Sequence, residues 1–405
     1  MHVVVAGAGI VGVASAIWLQ RAGHTVTLVD RAKPGQATSY GNAGVLAAGS
    51  IIPVTVPGLL RKAPKMLFDR NQPLFLRWSY LPRLMPFLAR YLRHANMEDV
   101  RHYAFNMAHL LGDSADQHLS LAKGTGAEKY VLQNDYCFGY ATEAAYQADI
   151  WTWDLRREAG MSFEPMSGKD YAQVDPLFEG QFHTVVAGRN HGMISDPGKY
   201  VGALADHFIA EGGTFVAADI QDVQGQVLRT SQGEISGDKV LLCLGPWSGE
   251  LSRKLGLKSL SFEAERGYHI ELVNPSHTPK NPMMIAAGKF VMTPMDGRIR
   301  AAGVVEFGGL KLGPSEAPIN LLKRQVAALI PNVTYDRIDT WMGHRPAPSD
   351  SLPLLGQVQD GTFVAYGHQH VGLTGGAKTG RVMAQMVEGQ QPNFDTAAFD
   401  PKRYA

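Results

Sequence analysis

Apolar residues fall into two rhythms over the first thirty positions. Val3-Val4-Val5-Ala6 is an unbroken run, Gly7-Ala8-Gly9-Ile10-Val11-Gly12 interrupts it, Ala16 and Leu19 keep helical spacing up to Gly23, and Val26-Thr27-Leu28-Val29-Asp30 ends on a carboxylate. The pattern predicts strand, tight turn, helix and second strand. Residues 95–125 read as helical and 130–141 as paired strands. Asp196-Pro197 opens another helix, a capping carboxylate followed by proline in the first turn, with Val201, Leu204 and Phe208 on its buried side and Gly212-Gly213 at its end. Strand and hairpin segments lead to the apolar run Lys239-Val240-Leu241-Leu242-Cys243-Leu244-Gly245, which predicts a further buried parallel strand meeting a ligand at Gly245. Over 262–306 apolar and polar positions alternate between turns at Pro275, Pro282 and Asp296-Gly297, the signature of a largely antiparallel sheet. After Gly343-His344-Arg345-Pro346 and Tyr366-Gly367-His368, a glycine-rich turn opens a helix from about Gly375 to Val387.

The opening unit carries chemistry. Gly7 suits the tight turn, Gly9 admits close approach of a pyrophosphate, and Gly12 lets the helix lie against the strand. Free N–H groups and the positive end of the helix dipole favour the anion. Asp30, eighteen residues beyond Gly12, is placed for a ribose and would repel a 2′-phosphate, which predicts FAD or NAD over NADP.

Bulk properties narrow the classes. The 405 residues suffice for two or three domains, and 45% hydrophobic with 19% charged residues is ordinary for a globular enzyme. A net charge of +1 gives no reason to expect nucleic acid. Cys137 and Cys243 lie in apolar runs without a CxxC partner, the pattern of buried thiols in a reducing compartment. The chain begins directly on its first strand and has no apolar run of about 18 residues, which predicts a cytoplasmic protein. The expected architecture is α/β: a discontinuous Rossmann-like nucleotide domain (1–56, 190–260, 340–405) and a largely antiparallel α+β substrate domain (95–189, 261–339).

Between them, residues 57–94 carry eight basic residues, Arg61, Lys62, Lys65, Arg70, Arg77, Arg83, Arg90 and Arg93, against the single acid Asp69. Leu84, Phe87, Leu88 and Tyr91 form a helical stripe with the arginines mostly off it. Two readings stay open: peripheral contact with the inner face of a membrane, as electron delivery to a quinone requires, or an internal cover over the substrate.

An N-terminal dinucleotide motif with a C-terminal Gly343-His344-Arg345-Pro346, Gly367-His368 and a glycine-rich helix start resembles the D-amino acid oxidase family of flavoproteins. Thr38-Ser39-Tyr40-Gly41-Asn42-Ala43-Gly44 with the basic insert, and Ala302-Gly303-Val304-Val305-Glu306, are most similar to its D-amino acid dehydrogenase branch. The resemblance implies FAD as cofactor, with His368, Gln369, His370, Val371, Gly372, Leu373 and Thr374 along the isoalloxazine. It places Ile10, Val11, Asp30, Arg31, Thr38, Ser39, Asn42, Ala43, Gly44 and Val45 on the rest of the cofactor, and Ile220 beside the adenine.

For the substrate it implies that Arg345 binds a carboxylate, against the alternative of a structural arginine. Glu306 is a candidate acceptor for the substrate amine or else a solvated strand-end carboxylate, and His370 a second substrate-side group. Phe290 stands where some relatives carry a tyrosine hydroxyl, and Tyr268 is the candidate replacement, with strand packing as its alternative. His368 and His370 lack the neighbours of a metal site, so no metal is expected. The implied activity is oxidative deamination of a D-amino acid, hydride passing from Cα to the flavin, the imine hydrolysing to a 2-oxo acid and electrons leaving to a quinone or other acceptor. Oxidation of a secondary amine such as D-hydroxyproline, a glycine or sarcosine type oxidase, and a flavin-binding interaction module without turnover are the alternatives.

Overall fold

The computed structural model describes residues 1–59 and 72–405. Arg61, Lys62, Lys65, Asp69 and Arg70 of the basic insert lie outside the described residues. The opening apolar run forms the strand His2–Ala6, with Val3, Val4 and Val5 fully buried. It stands inside a six-stranded sheet in the order Leu354–Gln359, Thr362–Tyr366, Lys239–Leu242, His2–Ala6, Thr25–Asp30, Thr214–Ala217. Every neighbouring pair is parallel except the Leu354–Gln359 hairpin partner. Such strands need cover on both faces, which explains why they read as continuous apolar runs. Val3 and Val5 pack under the helices Ile10–Arg21, Pro197–Ala210 and Gly372–Val387, while Val4 and Ala6 face Leu251, Leu255 and the small sheet of residues 220–236.

Glycines set how closely these parts approach. Gly7 has φ of +107° and its N–H donates to Val29 O at 2.7 Å. A Cβ on Gly12 would stand 1.8 Å from the Gly7 carbonyl oxygen. Along the Gly372–Val387 helix, a Cβ on Gly376 would meet Ile10 Cγ1 at 2.8 Å and one on Gly380 the Ala14 carbonyl carbon at 2.6 Å. The first helix and the C-terminal helix therefore cross almost backbone to backbone, which fixes their N-termini relative to each other. The C-terminal helix begins at Gly372, three residues before the expected start, because Gly367 (φ +94°) and Gln369 (φ +47°) make the turn earlier.

The larger sheet has a main path running Arg337–Pro348, Phe262–Val273, Arg298–Phe307, Phe290–Met295, Met283–Ile285, Val131–Tyr140, Thr184–Ile194, Val45–Leu46. It is mostly antiparallel, with parallel pairs where Met283–Ile285 meets Val131–Tyr140 and where Leu74–Leu76 joins Arg298–Phe307. The stretch expected as paired strands over 130–141 is one strand, Val131–Tyr140, whose partner Thr184–Ile194 comes much later. The alternation over 262–306 also means something other than a wet face: Glu265, Arg266, His269, Glu271, Arg300 and Glu306 are all buried. Arg298 and Arg300 both donate to Glu271 at 2.8 Å, and Arg300 Nη1 donates to the carbonyls of Tyr40, at 2.9 Å, and Asn42. Buried charge thereby pins the 40–42 loop to the sheet.

In the insert, the stripe Leu84, Phe87 and Tyr91 of the helix Leu81–Arg93 packs on Phe307 and Ala347, while Trp78 and Met85 are exposed. Among the described residues no helix is long and apolar enough to cross a membrane.

Burial keeps four histidines neutral: His118, His368 and His370 are pushed down to about 4, and His269 to about 3. His118 bridges Tyr200 and the Leu373 carbonyl, both at 2.8 Å. A histidine with a folded pKa below its unfolded value stabilises fully above about pH 6.5, and that stability is lost as pH falls towards the folded pKa. Each proton taken up on unfolding contributes a slope of about 1.4 kcal/mol per pH unit, so four together steepen the acid limb by at most about 5.6 kcal/mol per unit. Urea midpoints should therefore fall sharply between pH 6.5 and 5; a flat profile there would contradict neutral burial.

Candidate active site

Two helix N-termini open into one cleft of about 350 Å³. The first helix starts after Gly9 and the C-terminal helix after Val371; neither boundary residue caps its helix with a side chain, and neither first turn holds an acid. Helix-start amides and two positive dipole ends suit an elongated dianionic ligand. Gly7, Gly9, Ile10 and Val11 line the cleft with Asp30 and Arg31; Thr38, Ser39 and Asn42 follow; Ile220 and Gly245 lie along it, and His368, Gln369, Gly372 and Leu373 close the other end. Asp30 is anchored by accepting from Ala8 N at 2.7 Å and Ala32 N at 3.1 Å. Ser39 Oγ accepts from Ile10 N at 3.0 Å, so this hydroxyl satisfies a helix-start amide, and Thr38 Oγ1 donates to the His344 carbonyl at 2.8 Å, tying the loop to the larger sheet. These residues fit FAD: amides for the pyrophosphate, an anchored carboxylate for the ribose, and a second helix start for the ring's negative edge.

Other expected cofactor residues act from behind. Gly12 is covered by Gly7, Val371 is sealed in the core, and Thr374 Oγ1 donates to Val45 O at 3.1 Å. Gly44 N donates to Asn42 Oδ1 at 2.9 Å, and Ala43 and Val45 pack with Ala47, Tyr136 and Val291. His368 Nε2 lies 2.9 Å from Thr379 Oγ1, so its ring engages the helix. Trp247, which the sequence reading passed over, also lines the cleft, with the Arg31 guanidinium 4.3 Å from its ring centroid. Its signal was the Gly245-Pro246-Trp247 turn directly after a buried parallel strand.

The substrate candidates divide between the faces of the larger sheet. Arg345 is opposite Glu265, Gly267 opposite Gly343, and Arg266 opposite both His344 and Glu306. Side chains alternate along a strand, so Arg345 and Glu265 share one face while Arg266, Tyr268 and Glu306 occupy the other. Glu306 and Tyr268 have partners within the protein. Glu306 is buried, accepting from Tyr268 OH at 2.6 Å, from Arg266 Nη1 at 3.1 Å and from Ser315 Oγ. Tyr268 OH in turn accepts from Ser315 N at 3.0 Å. The solvated carboxylate therefore does not describe Glu306, whose oxygens are engaged by neighbouring side chains. Phe290 packs in the same far-side core as Tyr268.

Arg345 does not itself line the cleft; it adjoins the ring end through His370, which lies between the lining residues Gln369 and Gly372 and feels its charge. Its guanidinium lies over Gly267, where a Cβ would be 2.7 Å from Cζ. Burial draws its proton affinity down, the Glu265 charge opposes that, and no hydrogen-bonding partner acts on it among the described residues. His370 is close enough to feel the Arg345 charge, which together with burial holds its imidazole neutral. Among the described residues no group of three or more His, Cys, Asp or Glu side chains is placed to hold a metal ion.

The family model of FAD dependent oxidoreductases termed DAO matches residues 2–386. The chain is 37% identical over 417 residues to a D-amino-acid oxidase of Bradyrhizobium diazoefficiens, covering all of this chain and 99% of that one. It is 31% identical over 421 residues to a D-amino acid dehydrogenase of Rhizobium rhizogenes, covering both completely. In fold it is similar to glycine oxidase from Geobacillus kaustophilus, with a TM-score of 0.76 at 22% identity over 99% of this chain and 98% of that one. It is also similar to L-proline dehydrogenase from P. horikoshii, with a TM-score of 0.73 at 15% identity over 100% and 97%.

Proposed function

The chain belongs to the DAO family of FAD-dependent oxidoreductases, and on that premise we propose that it deaminates D-amino acids oxidatively, with Arg345 holding the substrate carboxylate. One observation carries the substrate assignment: a half-buried guanidinium beside His370, free of hydrogen bonds among the described residues, over a glycine that leaves it room. Relatives named D-amino-acid oxidase and D-amino acid dehydrogenase support the D configuration.

Bound FAD supplies the hydride acceptor, and the imine product hydrolyses to a 2-oxo acid. The protein's part is orientation. Arg345 presents a planar fork to the carboxylate, which fixes Cα relative to the ring. Gly267 keeps the strand beneath from filling that space. His370, uncharged, adds no second cation to compete for the carboxylate and can accept a hydrogen bond from the amine. The insert helix, with its stripe turned onto Phe307 and Ala347, supports the internal-cover reading of the basic insert.

Anaerobic mixing of the FAD-loaded protein with D- and L-amino acids, proline derivatives included, tests this. D-amino acids should bleach the flavin absorbance and their L enantiomers leave it; bleaching by L substrates alone would refute the stereochemistry, and bleaching by none the activity. Reoxidation by air or only by a quinone analogue then separates oxidase from dehydrogenase.

A further inference from the structure

Glu265 and Arg345 stand directly opposite each other on neighbouring antiparallel strands. Their side chains rise from the same face with Cβ atoms about 5 Å apart. The enclosure is apolar: Leu84, Phe87 and Tyr91 of the insert helix close over Phe307 and Ala347. Glu265 is only 5% exposed, and no hydrogen bond acts on it among the described residues. Its partner Arg345, on the reading proposed above, must also receive the substrate carboxylate. Two carboxylates cannot both stay ionised against one guanidinium in a medium of low dielectric constant.

We propose that Glu265 is the displaceable counter-charge of Arg345, taking up one proton when a substrate carboxylate docks on the guanidinium. The inference rests on Arg345 being the carboxylate site. The O–H bond forms on Glu265 with a proton from the medium, so the docked anion and the acquired proton leave the charge of the enclosure unchanged.

The surroundings are suited to this. Arg345 faces Glu265 from one neighbouring strand and the ring of Phe307 from the other. Glu263 lies two residues along the same strand, accepting from Tyr80 OH at 3.0 and 3.1 Å. Tyr91 approaches from the insert helix, and His370 acts on Arg345 from the segment before the C-terminal helix. Burial pushes Glu265 up to about 7, Arg345 opposes the rise and Glu263 adds to it. The group therefore changes protonation near neutrality. Below its free value it already holds the proton, and carboxylate binding is independent of pH. Above that value each bound carboxylate requires one proton, and affinity falls tenfold per pH unit.

The test uses FAD-loaded protein with benzoate and acetate, carboxylates that carry no oxidisable amine. Flavin absorbance follows binding from pH 6 to 9, and calorimetry in two buffers of different ionisation enthalpy counts protons. The wild type should take up about one proton near pH 8, and its Kd should rise about tenfold per unit from pH 7.5 to 8.5. Glu265→Gln should abolish both effects, and His370→Asn should keep both. Absence of uptake in the wild type, or persistence of uptake in Glu265→Gln, overturns the proposal. Benzoate binding undiminished in Arg345→Leu would instead overturn the carboxylate site itself. If Glu265→Gln fails to load FAD, Glu265→Asp should shift the pH midpoint of binding, and an unmoved midpoint refutes the role.

Discussion

Arg345→Leu should lower kcat/KM for amino acid substrates about a thousandfold while FAD stays bound. Truncating one member of a buried, hydrogen-bonded charge pair costs about 2–5 kcal/mol, and each 1.4 kcal/mol is a factor of ten. The substrate carboxylate is present in both ground and transition state, so most of the loss should fall on KM. A second part falls on kcat, because an unanchored substrate loses the alignment of Cα with the ring. Leucine should be accommodated, since apolar Phe307, Ala347 and Phe87 adjoin this face. Flavin absorbance and the melting temperature are the controls. Unchanged kinetics with full FAD content would return Arg345 to a structural role.

Gly12→Ala should have the largest effect on the cofactor half. The added methyl would stand 1.8 Å from the Gly7 carbonyl oxygen and 3.4 Å from Cys243 Cβ. The nearer atom is backbone, held by the Gly7 N–H···O=C Val29 bond on one side and by the parallel strands on the other, so it cannot rotate away. The helix must lift off the strand, at an expected cost of about 3 kcal/mol or more. We expect a melting temperature lower by several degrees and protein purified largely without FAD. Gly9→Ala is the informative contrast. Its methyl would meet only Ser39 Oγ, at 3.3 Å, so the apoprotein should melt close to wild type while FAD affinity drops through crowding of the pyrophosphate. Equal loss of apoprotein stability in both variants would argue against separate tasks for the two glycines.

The nucleotide unit was legible because its parts are contiguous: turn glycines, helix spacing and Asp30 all fall within thirty residues, and each constrains the next through local geometry. The C-terminal elements were reachable through family resemblance, since their meaning depends on strands far apart in sequence. The internal partners of Glu306 and Tyr268 were illegible for a definable reason. Pairing between Phe262–Val273 and Arg298–Phe307 slips at a bulge between Gly267 and His269, and one extra residue reverses which face the following side chains take. Sequence spacing alone does not reveal that slip. Glu265 went unremarked because its significance comes from a partner eighty residues later, Arg345, with which only the sheet register brings it into line.

The order of strands in the nucleotide sheet also governs how the chain can be made. The strand His2–Ala6 is translated well before its neighbour Lys239–Leu242, and that strand's neighbour Thr362–Tyr366 later still. Pairings of such wide sequence separation close slowly. The FAD cleft, lined by residues from Gly7 to Leu373, is therefore complete only after the strand Thr362–Tyr366 has joined the sheet. A product terminated before residue 362 would leave the Lys239–Leu242 edge open, and an open apolar edge pairs with other chains. Premature termination should thus yield aggregates for proteolysis, and no pool of soluble, half-built cofactor traps.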